Sequence, residues 1–309
     1  VNLSELFAGP TELGRCLGPS QNFLGLSAEE ADLDRARAVI VPAPYDATTA
    51  FRSGTREGPR AILRASRELE PYDEETRTEI YRRGIATLEE LAVTVASPRL
   101  MVERVRTVAD ALFAAGRLPV LLGGEHLLSL GMIEAARAHF PDLTILQLDA
   151  HADLRSSYQE SPYSNACVMR LARAQAPLVQ VGIRALTLEE DQYIADRRIP
   201  CYQAHQLHRE PELWRGIAKH LSAQVYITID LDAFDPSIMP AVGTPEPGGL
   251  GWYDVLGLLR EVAKTTSVVG FDVMELLPIP HQVAPDLLAA RLVYKLLAYI
   301  LMDKPRLGC

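Results

Sequence analysis

Cysteine is scarce: Cys16, Cys167, Cys201 and Cys309 stand far apart in 309 residues, with no CxxC pair and no short-spaced framework. A disulfide-stapled secreted scaffold is thereby excluded, and a reducing, cytoplasmic setting is the expectation. Long uncharged apolar runs are missing as well. The best candidate, residues 287–302, is interrupted by Arg291 and Lys295 and reads as a buried or subunit-contacting helix, not a membrane span. The opening stretch VNLSELFAGPTELGRC carries acids, proline and glycine where a signal peptide needs a basic start and an apolar run. Net positive charge is also absent, the formal balance being −9. Nucleic acid and anionic membrane are therefore unsuitable partners, while a small cationic substrate, or simply a solvated acidic surface, fits this field.

What is present is enough apolar side chain, 48% of residues, to bury a large core. Short β-branched runs recur at 37–44, 118–124, 143–149, 177–184, 224–232 and 267–275. Their near-continuous hydrophobicity is that of strands covered on both faces. Helical patterns fall between them, at roughly 57–68, 98–116, 126–139, 162–174, 210–221, 251–264 and 285–302. Such alternation implies right-handed βαβ crossovers and a parallel sheet between helical layers. With no repeat, low-complexity tract or linker, a single domain over 1–309 is the simplest account. Ligands of open parallel sheets bind beyond the carboxyl ends of the strands, and four of these ends carry His126, the Asp149 group, the Asp230 group and Glu275.

The strand LTILQLD runs into Asp149-Ala150-His151-Ala152-Asp153. If extended backbone persists, positions i, i+2 and i+4 point one way and bring an imidazole and two carboxylates into one small volume. Bound cations would relieve the repulsion there. QVYITIDLD ends in Asp230-Leu231-Asp232 and repeats the pattern, with Leu231 on the opposite face; Asp235, before Pro236, reads as a turn residue. The third element, Gly123-Gly124-Glu125-His126, uses glycines for a tight turn and adds a sixth ligand, His126. Four aspartates and two histidines are too many for one tetrahedral zinc and too oxygen-rich for a soft metal. They suit two divalent ions, best Mn²⁺, about 3.5–4 Å apart and lowering the pKa of a shared water.

GGEH (123–126), DAHAD (149–153) and DLDAFDPSIMPAVGTPEPGGL (230–250) resemble the signatures of the ureohydrolase family of arginase and agmatinase, and the likeness runs from PAPYDATTAFRSGTREGPRAI (42–62) to FDVMELLP (271–278) and the last helix. The resemblance implies a three-layer α/β/α fold with an eight-stranded, mostly parallel sheet, usually in trimers or hexamers. It also implies two Mn²⁺ ions, one held by His126, Asp149, Asp153 and Asp230, the other by Asp149, His151, Asp230 and Asp232. Glu275, which unaided could be read as an exposed loop acid, would hold the guanidinium, and Asp153 would take the proton of the attacking water. Relatives with a histidine in the loop after DAHAD differ from this chain, which has Asn165; a carboxamide hydrogen-bonds but does not shuttle a proton. His281, after Glu275, or water would then deliver it. His139, His205, His208 and His220 read as ordinary surface or helix residues.

The loop 154–165 lacks the arginine-binding stretch of arginases, which favours agmatine, cleaved to putrescine and urea. Guanidinobutyrate and arginine are the alternatives within the family. Outside it stand a two-metal phosphatase and an inactive metal-binding relative that acts as an interaction protein.

Overall fold

The computed structural model describes residues 20–49 and 51–302. Cys16, Cys309 and the N-terminal stretch read above as no leader lie outside them. Eight strands form one sheet: β1 (Ala38–Ala43), β2 (Ile85–Thr87), β3 (Leu118–Gly123), β4 (Leu143–Leu148), β5 (Leu178–Ile183), β6 (Cys201–Gln203), β7 (Gln224–Asp230) and β8 (Ser267–Met274). Their order is β2-β1-β3-β8-β7-β4-β5-β6, and every pairing is parallel.

Nine α-helices are described: α1 (Gly58–Ser66), α2 (Pro98–Ala114), α3 (Ser129–His139), α4 (Val168–Arg173), α5 (Leu188–Arg197), α6 (Ala204–Arg209), α7 (Trp214–Ile217), α8 (Trp252–Thr265) and α9 (Ala284–Leu301). The side-chain alternation of the strands divides the core in two. Ile40, Val120, Leu146, Ile227 and Val273 pack with α1, α8 and α9 on one face. Val41, Leu121, Ile145, Tyr226 and Met274 pack with α2, α3 and α4 on the other. The fold is therefore the three-layer α/β/α arrangement anticipated from the sequence.

The six apolar runs all became strands. Two elements escaped notice because they are three-residue edge strands: β2 beside β1 only, and β6 beside β5 only. Helix α5 was missed too, although Thr187 and Glu190 form a capping box at its start. The pattern at 210–221 is broken into two 3₁₀ turns flanking α7, and that at 162–174 begins with a 3₁₀ turn, Asn165–Cys167, before α4. Helix α9 is buried as expected, and Lys295 is satisfied inside by Asp73 and Glu74, each at 2.8 Å. No described helix is long and apolar enough to cross a membrane.

The site depends on chain order. β3 pairs with β1, the chain then passes over to β4, and β7 and β8 return to fill the gap between β3 and β4. The four central strands, β3, β8, β7 and β4, are thus the four whose carboxyl ends carry the polar motifs.

Helices α2 and α3 approach closely at Gly131, where an added Cβ would lie 2.5 Å from Val102 O and 2.9 Å from Arg106 N. Helix propensity alone would make Gly131→Ala stabilising by about 1 kcal/mol; overpacking against backbone costs about 1–3 kcal/mol. Steric cost should win, and a lowered urea midpoint of unfolding is the expected result. A raised midpoint would contradict this packing.

Candidate metal centre

The strand ends place the six motif side chains around a single buried volume. His126 opens a 3₁₀ turn after β3 and is fully buried. Its Nδ1 lies 3.1 Å from Asp149 Oδ2, 3.2 Å from Asp153 Oδ2 and 3.4 Å from Asp230 Oδ2. His151 Nδ1 lies 2.8 Å from Asp232 Oδ2 and 3.7 Å from Asp149 Oδ1. Two groups of ligand-capable atoms result, His126–Asp149–Asp153 and Asp149–His151–Asp232, with Asp149 common to both.

The paired glycines of GGEH have a role other than turning. Neither has a positive φ. A Cβ at Gly123 would meet Met274 Cε at 2.1 Å, and one at Gly124 would meet Tyr45 O at 2.1 Å. They allow close approach of neighbouring segments. The extended backbone expected through DAHAD does not persist either: β4 stops at Leu148, and Asp153 sits at φ 53°. This left-handed residue is held because its carbonyl accepts Met169 N at 3.0 Å and Arg170 N at 3.2 Å in the first turn of α4. Asp230 and Asp232 reach the site through a 3₁₀ turn, Leu231–Ala233, while Leu231 joins the apolar core. Asp235 accepts Ser237 N, Gly248 N and Gly249 N at 3.0–3.1 Å, the turn role predicted for it.

Buried partners orient the ligand set. Thr228 Oγ1 donates to Asp272 Oδ1 at 2.7 Å, so it accepts from His126 Nε2, 2.8 Å away. Tyr226 OH donates to Asp272 Oδ2 at 2.7 Å. This chain fixes the proton on Nε2 and turns the Nδ1 lone pair toward the carboxylates, the arrangement a metal ligand needs. Beneath DAHAD, Gln147 Nε2 donates to Asp149 Oδ2 at 2.7 Å, and Gln180 Nε2 donates to Gln147 Oε1 at 2.7 Å. Among the described residues Arg184 donates to carbonyls, including Asp232 O at 2.7 Å and Glu246 O at 2.8 Å, and ties the loop 244–247 to the Asp232 turn. Asp272 could have been noticed as a charge amid the apolar β8; nothing in the sequence singles out Gln147, Gln180 or Thr228.

Electrostatically the cluster is in conflict without a cation. Burial, then Asp149, pushes Asp153 up to about 7; burial and Asp232 push Asp230 well above the carboxylate range. Burial alone would depress both histidines, yet the carboxylates hold His126 well above its ordinary value and His151 up to about 12. Among the described residues His126 Nδ1 makes no hydrogen bond despite complete burial, though three carboxylate oxygens lie 3.1–3.4 Å from it. An orphaned lone pair facing three carboxylates fits a divalent cation, and the donor set of oxygens plus two imidazoles fits an intermediate-hard ion.

The centre opens into a cleft of about 580 Å³ whose wall includes His151, Asp153, Asn165, Asp230, Asp232 and Glu275. Glu275 follows β8 at φ 66° and is almost fully buried. Its Oε1 accepts His126 N at 2.8 Å and Asn165 Nδ2 at 2.9 Å. Burial raises its pKa to about 8. His281, exposed and at φ 67°, is not part of the cleft wall. Of the other histidines, His139 pairs with Asp110 and His208 bonds Gly249 O, both away from the cleft. Glu125, given no role in GGEH by the sequence, is buried and accepts Thr48 Oγ1 at 2.8 Å.

Asp272→Asn and Thr228→Val should each weaken divalent-metal affinity about 10- to 100-fold, as read by competitive metal titration. Unchanged affinity in both would show that the Thr228–Asp272 chain does not orient His126.

A model of the arginase family matches residues 36–298. The N(1)-aminopropylagmatine ureohydrolase of Synechocystis sp. is 40% identical over 291 residues, covering 91% of this chain and 94% of that protein. The agmatinase of Pyrococcus horikoshii is 32% identical over 252 residues, 79% of this chain and 85% of that one. The solved agmatine ureohydrolase of Thermoplasma volcanium aligns with a TM-score of 0.83 at 29% identity, covering 93% and 96% of the two chains. The family and fold implied by the motifs hold, whereas the preference for agmatine meets a more similar relative whose name carries a longer amine tail. With its clustered side chains that could hold metal and this breadth of likeness, the chain belongs to the arginase family of binuclear-metal hydrolases, as an agmatinase-like ureohydrolase that cleaves a C–N bond of guanidino compounds.

Proposed function

We propose that the chain hydrolyses N(1)-aminopropylagmatine, releasing urea and the corresponding triamine, with two Mn²⁺ ions as cofactor. The carrying observation is the clustering of six ligand-type side chains, four of which line one cleft together with Glu275. His126, Asp149, Asp153 and Asp230 would hold one ion, and Asp149, His151, Asp230 and Asp232 the other. Bound there, paired ions lower the pKa of water and supply hydroxide near neutral pH.

The remaining chemistry belongs to the chain's residues. Glu275 offers a carboxylate to the planar guanidinium and so presents the central carbon to the metal side of the cleft. Asp153, on the same wall, takes the proton of water at its carboxylate. The nitrogen of the departing amine needs a proton as its bond to carbon breaks, and Asp153 can return one. Urea and the free amine then carry all the atoms of guanidine and water.

Two observations favour the longer tail: the higher identity of the aminopropylagmatine relative, and the cleft's extension to Glu246, a half-buried acid at the rim. Two other charges on this wall are engaged, Arg184 with carbonyls and Glu190 with Leu154 N and the start of α5, while Arg52 and Arg155 also line it, the latter over the Tyr158 ring. Agmatine remains the second reading, favoured by the names of the Pyrococcus and Thermoplasma proteins.

Urea release should be measured from N(1)-aminopropylagmatine, agmatine, arginine and 4-guanidinobutyrate with Mn²⁺-loaded and metal-free protein. The expected order of kcat/KM puts N(1)-aminopropylagmatine first, with no urea without metal. Glu246→Gln should lower that kcat/KM about tenfold, as the loss of one charge-assisted contact does, while sparing 4-guanidinobutyrate. Equal or better turnover of agmatine would transfer the assignment to the second reading. No urea from any guanidine would overturn both.

A further inference from the structure

Resting on the reading of Glu275 as the guanidinium carboxylate, we infer that Asn165 is a positioning residue that aims Glu275 at the substrate. The structure engages both ends of its carboxamide. The 3₁₀ turn at His126–Leu128 begins with unpaired backbone N–H groups, as helical turns do. His126 N donates to Glu275 Oε1 at 2.8 Å, and Leu127 N donates to Asn165 Oδ1 at 3.0 Å. Asn165 Nδ2 then donates to Glu275 Oε1 at 2.9 Å and closes the ring.

Two consequences follow. Oε1 is held from two sides by donors on separate elements, the GGEH turn and the turn before α4. Oε2 has no hydrogen bond among the described residues and looks toward Gly243 across the cleft, 3.7 Å from where a Cβ there would lie. The carboxylate is thus rotationally fixed, with one oxygen free for a guanidinium N–H. A freely turning carboxylate would have to lose that rotation on binding. Asparagine does this work without changing charge with pH. It also ties the loop 154–165 to the metal-side turn, so the cleft wall and the anchoring acid keep one geometry.

A proton-delivery residue and an aiming residue fail differently. Loss of proton delivery slows the chemical step, whereas loss of aim weakens ground-state binding of the guanidinium. The test uses Mn²⁺-loaded, full-length protein, with KM and kcat for agmatine and N(1)-aminopropylagmatine in Asn165→Ala, Asn165→Asp and Glu275→Gln, beside thermal unfolding. Asn165→Ala should raise KM about tenfold and leave kcat within about threefold. Asn165→Asp keeps the size and the bond from Leu127 N but turns an oxygen toward Oε1, so its KM should rise further than that of the alanine variant. Since it is isosteric, this variant keeps the test valid if the alanine variant unfolds.

A collapse of kcat at unchanged KM would overturn the assignment in favour of a chemical role. Lowered melting temperature with unchanged kinetics would reduce Asn165 to a structural tie and overturn it equally. If Glu275→Gln raises KM while neither Asn165 variant does, only the inference about Asn165 falls. If Glu275→Gln itself leaves KM unchanged, the reading of Glu275 falls first.

Discussion

Four buried aspartates share one small volume with two histidines, and most of the surrounding architecture answers to that crowding. Unit charges about 4 Å apart interact with roughly 4 kcal/mol at the effective dielectric of a partly buried site. Several such repulsions would exhaust the stability of an ordinary domain, about 5–15 kcal/mol. The chain can keep Asp149, Asp153, Asp230 and Asp232 together only if some carboxylates take up protons or positive charge stands among them. Protons on His126 and His151 supply some, and divalent ions supply it more completely.

The sheet makes the crowding possible by chain order. Filling the gap between β3 and β4 with β7 and β8 puts four motif-bearing strand ends side by side. The polar groups below the site then fix its directions. Asp272 and Thr228 set the tautomer of His126, Gln180 and Gln147 brace Asp149, and Arg184 gathers the carbonyls of the Asp232 turn and the loop 244–247. Asp153 and Glu275 both adopt left-handed backbone, a conformation costing non-glycine residues roughly 1–3 kcal/mol. Both are locked by hydrogen bonds to neighbouring turns, so the two carboxylates are aimed before any ligand arrives.

The core strands, and the acids and histidines that cluster beyond them, were legible because they depend on local pattern: continuous apolar runs with such residues set just past their ends. The two edge strands were not, since three-residue segments such as Cys201–Gln203 carry too little pattern to distinguish them from loop. Alternation correctly grouped Asp149, His151 and Asp153, though for a different reason than supposed, because Asp153 arrives through a left-handed turn and not along an extended strand. The glycines before Glu125 were read as turn formers and serve as close-contact points against Met274 and Tyr45. Partners far apart in sequence, such as His126 with Asp272 or Asn165 with Glu275, depend on tertiary neighbours, and no local pattern encodes them. Substrate preference is hardest of all to read, because the cleft wall includes loops around residues 154–165 and 243–247.

The proposed site is a pair of metal ions that share Asp149. It is tested most directly by counting Mn²⁺ retained per chain and recording its electron paramagnetic resonance spectrum. Two ions with an exchange-coupled spectrum that is lost in Asp149→Asn are expected. A single ion with an isolated six-line spectrum in the unaltered protein would contradict it.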